Sequence, residues 1–310
     1  MDFRFTDDQL TLAETVRDYF AGTHGPDVLR HLDAGVNRDP AIWQGLVDMG
    51  LTGLLVPEEH GGLGVGLVEA ALIAAECGRA CLAEPLVETS FIAVPWLIAQ
   101  GRMGDLQAIA DGSQRHVPAH SINGWVSDGD GTPLASVDPL RNLSCDEKPL
   151  SDDPHLLNLG ALMSAAQLVG LADAMLQQAV DYAKVRTQFG QPVGAFQGLK
   201  HQLASCSVAI EFAKPVVWRA AQAMQDGIDS APVHVSHAKL AATDAAIQTA
   251  ETAIQVHGAM GYTYEVDLHF WMKRSWALAG SWGDRAFHYH RIDAAVLGGT
   301  LAIGPEHTFA

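Results

Sequence analysis

Residues 185–204, VRTQFGQPVGAFQGLKHQLA, place a guanidinium (Arg186), an amide (Gln188) and an aromatic ring (Phe189) close together, just ahead of a Gly-Gln-Pro turn and a helical run. That combination has the look of a cofactor grip. Alone, Arg186 would read as a solvated or ion-paired helix-end residue; Gln188, Phe189 and Gly190 beside it favour the functional reading. Other chemistry-bearing groups are weaker. His234 and His237 share a helical face but lack a Glu-rich partner motif, so no metal site is expected there. GGLGVG at 61–66 echoes a phosphate-binding loop, yet no strand leads into it, and a helix-to-helix turn is expected. Cys77 and Cys81 sit one helical turn apart without a second pair, and four cysteines in 310 residues make no disulfide framework; core thiols are expected.

The elements that must carry these groups are mostly helices. Leu10, Leu12, Val16 and Phe20 recur at helical spacing behind a candidate N-cap, Thr6, and AIWQGLVDMG, LVEAALIAAECGRAC and FIAVPWLIAQ read as further helices. Residues 1–110 are therefore expected to form an N-terminal helical domain. Residues 111–156 turn rich in Gly, Asp, Ser and Pro, with room for three or four short strands; an eight-stranded barrel would need roughly 80–100 residues. Residues 157–310 are expected to form a four-helix bundle, with long helices over 159–185, 196–226 and 233–257 and a stop at Gly258. The fold class is thus mainly α with a reduced β middle segment. Nineteen basic residues against 36 acidic ones give a net charge of −17, which repels nucleic acid and anionic lipid. The N-terminus lacks a signal-peptide pattern and no apolar run approaches membrane-spanning length, so a cytoplasmic protein without membrane contact is expected.

Four separated stretches, in order, resemble the acyl-CoA dehydrogenase family: FTDDQ…VRDYF, LVDMGLTGLLVPEEHGGLGVGLVEAALIAAECGRA, RTQFGQPVGAFQGLKHQLA and TAIQVHGAMGYTYE. The resemblance covers both ends of the chain and fails in the middle. It implies FAD as cofactor, an acyl-CoA thioester as substrate, removal of hydrogen across Cα and Cβ, and electron delivery to an electron-transferring flavoprotein. In that family the Arg-x-x-Phe-Gly motif reaches the pyrophosphate and ADP end of a neighbouring subunit's FAD. Carried over, Arg186 would pair with pyrophosphate through its planar fork, Gln188 would add a polar contact and Phe189 would pack near the adenosine. Gln255 and Gly258 match the second ADP-side motif, with Ala259 where the family usually has a second glycine. His257 could touch adenine or pack as an ordinary histidine.

What the resemblance lacks shapes the functional expectation. Nothing in 111–156 matches the segment that contacts the isoalloxazine ring. The two places where the family puts its catalytic glutamate fall on Gly283 and Gly160, leaving Asp284, one position off, as the alternative base. No catalytic residue is therefore expected in this chain. The leading expectation is a subunit of a heteromeric enzyme, of the α2β2 kind associated with bacterial steroid degradation, completed by a second, fuller acyl-CoA dehydrogenase subunit that carries the glutamate. A self-sufficient homomeric enzyme using Asp284 and a flavin-free scaffold are the alternatives. Trp271, Trp276 and Trp282 are expected at a subunit interface.

Overall fold

The computed structural model describes residues 4–129, 131–145, 150–304 and 307. Helix α1 (Asp7–Thr23) starts at a reciprocal cap, Thr6 Oγ1 accepting from Gln9 N (3.2 Å) and Gln9 Oε1 accepting from Thr6 N (3.0 Å). Helices α2 (Pro26–Asp33) and α3 (Pro40–Asp48) each place proline where a helix can spare an N–H. Helix α4 (Leu67–Arg79) is buried around nearly its whole circumference. The sequence FIAVPWLIAQ, expected as one helix, instead ends a π-helical stretch over Val87–Ala93 that runs into α5 (Val94–Ala99). Pro95 has no N–H to give and crowds the carbonyl four residues back, and the wider turn ahead of it relieves that crowding. Helix α6 (Leu106–Ala110) closes this part.

Three short strands follow: β1 (Val126–Ser127), β2 (Thr132–Leu134) and β3 (Leu143–Cys145), in the antiparallel order β1-β3-β2 with Ser144 opposite both Val126 and Pro133. Buried or half-buried ion pairs fasten this segment. Arg38 meets Asp128 at 2.9 Å, and Arg274 meets Asp138.

Helix α7 (Pro154–Val185) begins five residues before the expected position 159, because Asp153 caps it by accepting from His155 N at 2.8 Å. A hairpin of β4 (Thr187–Gln188) and β5 (Gln191–Pro192) leads to α8 (Gln197–Gln225), then α9 (Ala231–His257), α10 (Leu268–Gly280) and α11 (Arg285–Leu297). Helix α7 is the central rod, packed by α4 on one side and by α8, α9 and α10 on the others. It corrects one expectation. Contrary to the reading of the sequence, Pro154–Val185 is long and apolar enough to cross a membrane, but 89% of its most apolar window is buried inside the chain. Its apolarity on all sides from Leu156 to Ala172 is the requirement of an enclosed core helix, while Gln177, Asp181 and Lys184 nearer its end are exposed.

Arg17 clamps the two helical layers at their edge, its Nε and Nη2 donating to Glu76 Oε2 (3.0 Å) and Oε1 (2.7 Å), while Arg79 reaches Asp173 of α7 at 2.7 Å. Cys77, Cys81 and Cys206 are buried thiols; Cys145, at the end of β3, is exposed and departs from the expected core placement.

Candidate functional site

The residues of the proposed grip gather at one end of the bundle, where α7 ends, α8 begins and the antiparallel α9 returns. Tyr182, in the last turn of α7, stacks on His257, the last residue of α9, with ring centroids 4.3 Å apart at 29°. Tyr182 Oη also donates to His257 O at 3.4 Å. His257 itself is a packed histidine, buried, with Nδ1 2.7 Å from Ala253 O and a pKa lowered mainly by burial. Of the two roles open to it, packing is the one its surroundings serve.

Beyond this pin, Arg186 N donates to Tyr182 O (2.9 Å) and Arg186 O accepts from Val193 N (2.8 Å), which fixes the backbone on either side of the hairpin. The Arg186 side chain is exposed and has no hydrogen bond or ion pair among the described residues. Phe189 and Gly190 form the hairpin turn with φ of 53° and 81°. Two positive φ values in succession make the tight turn that suits a twisted hairpin, a place that ordinarily goes to Asn-Gly or Gly-Gly. A phenylalanine there is strained. The residue is 91% exposed, with its ring edge to face with that of Phe196 at 6.1 Å. Strain without burial brings this chain little packing energy, and the ring is open to a ligand. Gln255 is exposed in the last turn of α9, and Gly258 ends that helix with φ 60° and ψ −134°, with nothing within 4 Å of where a Cβ would be. An unpartnered guanidinium, an upright aromatic ring, an exposed amide and an open glycine backbone fit the phosphate and nucleoside end of a dinucleotide arriving from outside.

A second region lies near the other end of α7. Gly160 and Gly283, far apart in sequence, both lie beside Trp282, whose indole stands over Gly160 and which Gly283 directly follows in the chain. A Cβ on Gly160 would lie 2.0 Å from Trp282 Cδ2, and one on Gly283 would lie 2.5 Å from Phe287 Cδ1 and 2.9 Å from His288 Nε2. Both positions are filled as well as bare. Trp282 is held at φ 59°, 4% exposed, its N–H donating to Asn123 Oδ1 at 2.6 Å and its carbonyl accepting from His288 Nε2 at 3.0 Å. Burial pushes the His288 pKa down to about 4, so the ring is neutral, with Nε2 as its donor. Lys239, fully buried on α9, donates to the carbonyls of Leu278 (2.5 Å) and Ala279 (3.1 Å) at the end of α10, which anchors the same turn from below. Burial pushes its pKa down to about 7.

Asp284 is exposed and serves as N-cap of α11, accepting from Phe287 N at 2.8 Å. It stands outside the helix, with its carboxylate turned to that cap and not toward Gly160. The tryptophans expected at an interface are divided. Trp271 is buried, its Nε1 donating to Arg79 O at 2.8 Å, and Trp282 is the plug just described; Trp276 alone is exposed, at 41%. Two of the three are therefore internal, because α10 and the turn after it fold back onto α4 and α7. Sequence reasoning missed Trp282, Asn123 and Lys239. A signal existed for the first: a glycine inside the apolar run of α7 marks a close approach by something large.

His234 and His237 line a different cavity of about 700 Å³ between α8, α9 and the end of α11. Arg219 Nε donates to His234 Nδ1 at 3.3 Å, and burial with that neighbouring charge pushes the ring's pKa down to about 4. Among the described residues no group of three or more His, Cys, Asp or Glu side chains is placed to hold a metal ion.

The comparisons with known proteins bear on both ends of the chain. The family descriptions "Acyl-CoA dehydrogenase, N-terminal domain" and "Acyl-CoA dehydrogenase, C-terminal domain" match residues 6–102 and 154–297. The acyl-CoA dehydrogenase IpdE2 of Mycobacterium tuberculosis is 34% identical over 85% of this chain and 89% of its own length. Among solved structures, the ChsE4-ChsE5 complex of M. tuberculosis contains a chain that superposes with a TM-score of 0.85 at 20% identity, covering 96% of this chain and 99% of that one. The Tcur3481-Tcur3483 steroid ACAD (G363A variant) gives a TM-score of 0.83 at 22% identity, covering 96% and 99%. With two domain matches in order and a relative aligned along most of both chains, this protein belongs to the acyl-CoA dehydrogenase family, whose cofactor is FAD.

Proposed function

We propose that this chain is the non-catalytic or half-catalytic subunit of a heteromeric acyl-CoA dehydrogenase, supplying the ADP side of an FAD site to a fuller partner subunit that carries the catalytic glutamate. The observation that carries the reading is the contrast between the two ends of α7. At one end a strained, 91% exposed Phe189 and an unpartnered Arg186 reach outward. At the other, both positions expected to carry the base are glycine, with the Trp282 indole filling the space over Gly160 and Phe287 and His288 filling that over Gly283. In this reading Arg186 would hold the pyrophosphate, Gln188 and Gln255 would add amide contacts, Phe189 would lie against the adenosine and Gly258 would admit the ligand to the backbone. The flavin ring, when bound, supplies the acceptor for the hydride removed from Cβ. The three short strands between Val126 and Cys145 make a small platform, which supports the view that the ring is seated by the partner.

The substrate class proposed is a bulky CoA thioester, steroid-derived, by analogy with the steroid ACAD that shares the fold. Delivery of electrons to an electron-transferring flavoprotein and a cytoplasmic location belong to the same proposal. The use of Asp284 as a helix cap weighs against the homomeric alternative. Co-expression with candidate partner subunits tests the whole reading. The purified assembly should contain one FAD for every two chains, measured as flavin absorbance against protein mass. A colourless assembly would favour the flavin-free scaffold, and one FAD per chain from this protein alone would end the heteromeric reading.

A further inference from the structure

A small internal cavity, about 10 Å³ in volume, lies where the three parts of the chain meet. Its polar lining is Glu84 and Glu88 from the stretch before α5, Ser127 and Arg141 from the middle segment, Gln167 from α7 and Arg274 from α10. Glu84, Arg141 and Arg274 are 5%, 7% and 3% exposed, and each carries a buried atom without a hydrogen-bond partner among the described residues: Glu84 Oε2, Arg141 Nη1 and Arg274 Nη2. Charged or polar neighbours stand around all three groups. Arg274 Nη1 donates to Leu82 O at 2.8 Å and its Nε meets Asp138, Arg141 Nη2 is 3.5 Å from Glu88 Oε1, and Glu84 Oε2 is 3.7 Å from Arg115 Nη2, too far for a hydrogen bond.

Two orphan donors and one orphan acceptor around so small a space have one simple complement. We propose that this cavity is a binding site for a single structural water, which accepts from Arg141 Nη1 and Arg274 Nη2 and donates to Glu84 Oε2. A water needs about 10–15 Å³ of such volume and two to four polar partners, and both conditions are met here. Buried polar groups are nearly always satisfied, and buried ionic ones most strictly. A small anion would meet the two arginines equally well by geometry, but their charges are already matched. Asp138 faces Arg274, Glu88 faces Arg141, and a halide would stand beside the Glu84 carboxyl. The water thus serves as a joint between the N-terminal layer, the middle segment and the bundle, beside Arg274, which itself spans all three through Leu82 O and Asp138.

Crystals of the full chain in its native assembly, at a resolution that shows ordered waters, give the direct test. The expected result is a fully occupied water peak within hydrogen-bond distance of those three atoms. No peak in the wild type would overturn the assignment, as would an anomalous peak there after a bromide soak. Glu84→Gln, which keeps an acceptor, should retain the water, and Glu84→Met should lose it. A Met variant that folds and holds the water at full occupancy would remove Glu84 from the site. If that variant does not fold, the wild-type peak and the bromide soak decide alone.

Discussion

Placing a carboxylate at position 160 should fail in this chain unless Trp282 goes first. In Gly160→Glu the new Cβ would stand 2.0 Å from Trp282 Cδ2 and 2.4 Å from Cε2 and Cε3, so the indole must leave a place where it is 4% exposed. Losing a buried tryptophan's packing costs about 3–5 kcal/mol. Trp282→Gly loses the same packing, but glycine adopts φ 59° without the left-handed penalty of about 1–2 kcal/mol, for a net cost of about 1–4 kcal/mol. The double variant suffers the packing loss once, and the glutamate occupies vacated volume. Its stability should therefore exceed the additive expectation by about 3 kcal/mol or more, at the upper end of the range seen for residues in contact. Urea unfolding of the wild type, both single variants and the double variant measures this coupling. Additivity within about 0.5 kcal/mol would refute the claim that Trp282 is what excludes a base from position 160.

Arg186→Ala should assemble normally but lose FAD on gel filtration, its affinity weakened about ten- to a hundred-fold by loss of charge-assisted phosphate contacts, with Arg186→Lys recovering part; retained flavin would remove Arg186 from the cofactor site. Asp284→Asn should leave turnover of the assembly intact and stability nearly so, since asparagine caps helices as well as aspartate; a fall of about 10²–10⁴ in rate would revive Asp284 as a base. Lys239 should make stability depend on pH. Its folded pKa is pushed down to about 7 from 10.5, so between those values the unfolded chain binds the extra proton, and the stability present above 10.5 is lost as pH falls through about 7. Denaturant unfolding of wild type and Lys239→Met across that window should show the wild type gaining on the variant as pH rises; parallel curves would mean that Lys239 carries its charge in the folded state.

The helical layers were legible because apolar spacing and caps are local signals. Thr6 announces α1, Gly258 ends α9, and the long helices fell within a few residues of their expected limits. The short α2 was not anticipated, since eight residues hold too few periods to register. The π-helical stretch before Pro95 depends on how a proline's crowding is relieved, which spacing does not encode. At the site, the grip residues were legible as types in a row, while the role of Trp282 was not. It follows from a contact between residues more than 120 positions apart, together with a left-handed backbone at Trp282 that no propensity favours. For the same reason the cap role of Asp284 at α11 was not legible in the sequence, where it stood only as an alternative base.

Helix α7 also acts as a ruler. Gly160 sits near its start and Arg186 just past its end, and 26 residues at about 1.5 Å each separate them by about 39 Å along one continuous helix. A dinucleotide is shorter than that, and a helix buried without a break from Leu156 to Ala172 is held straight over much of that length. In the proposed reading, the flavin that Arg186 would grip is therefore not one whose ring lies against Gly160. The two ends of the rod would then be independent, with an indole filling the space at one end while the hairpin at the far end serves a different active centre.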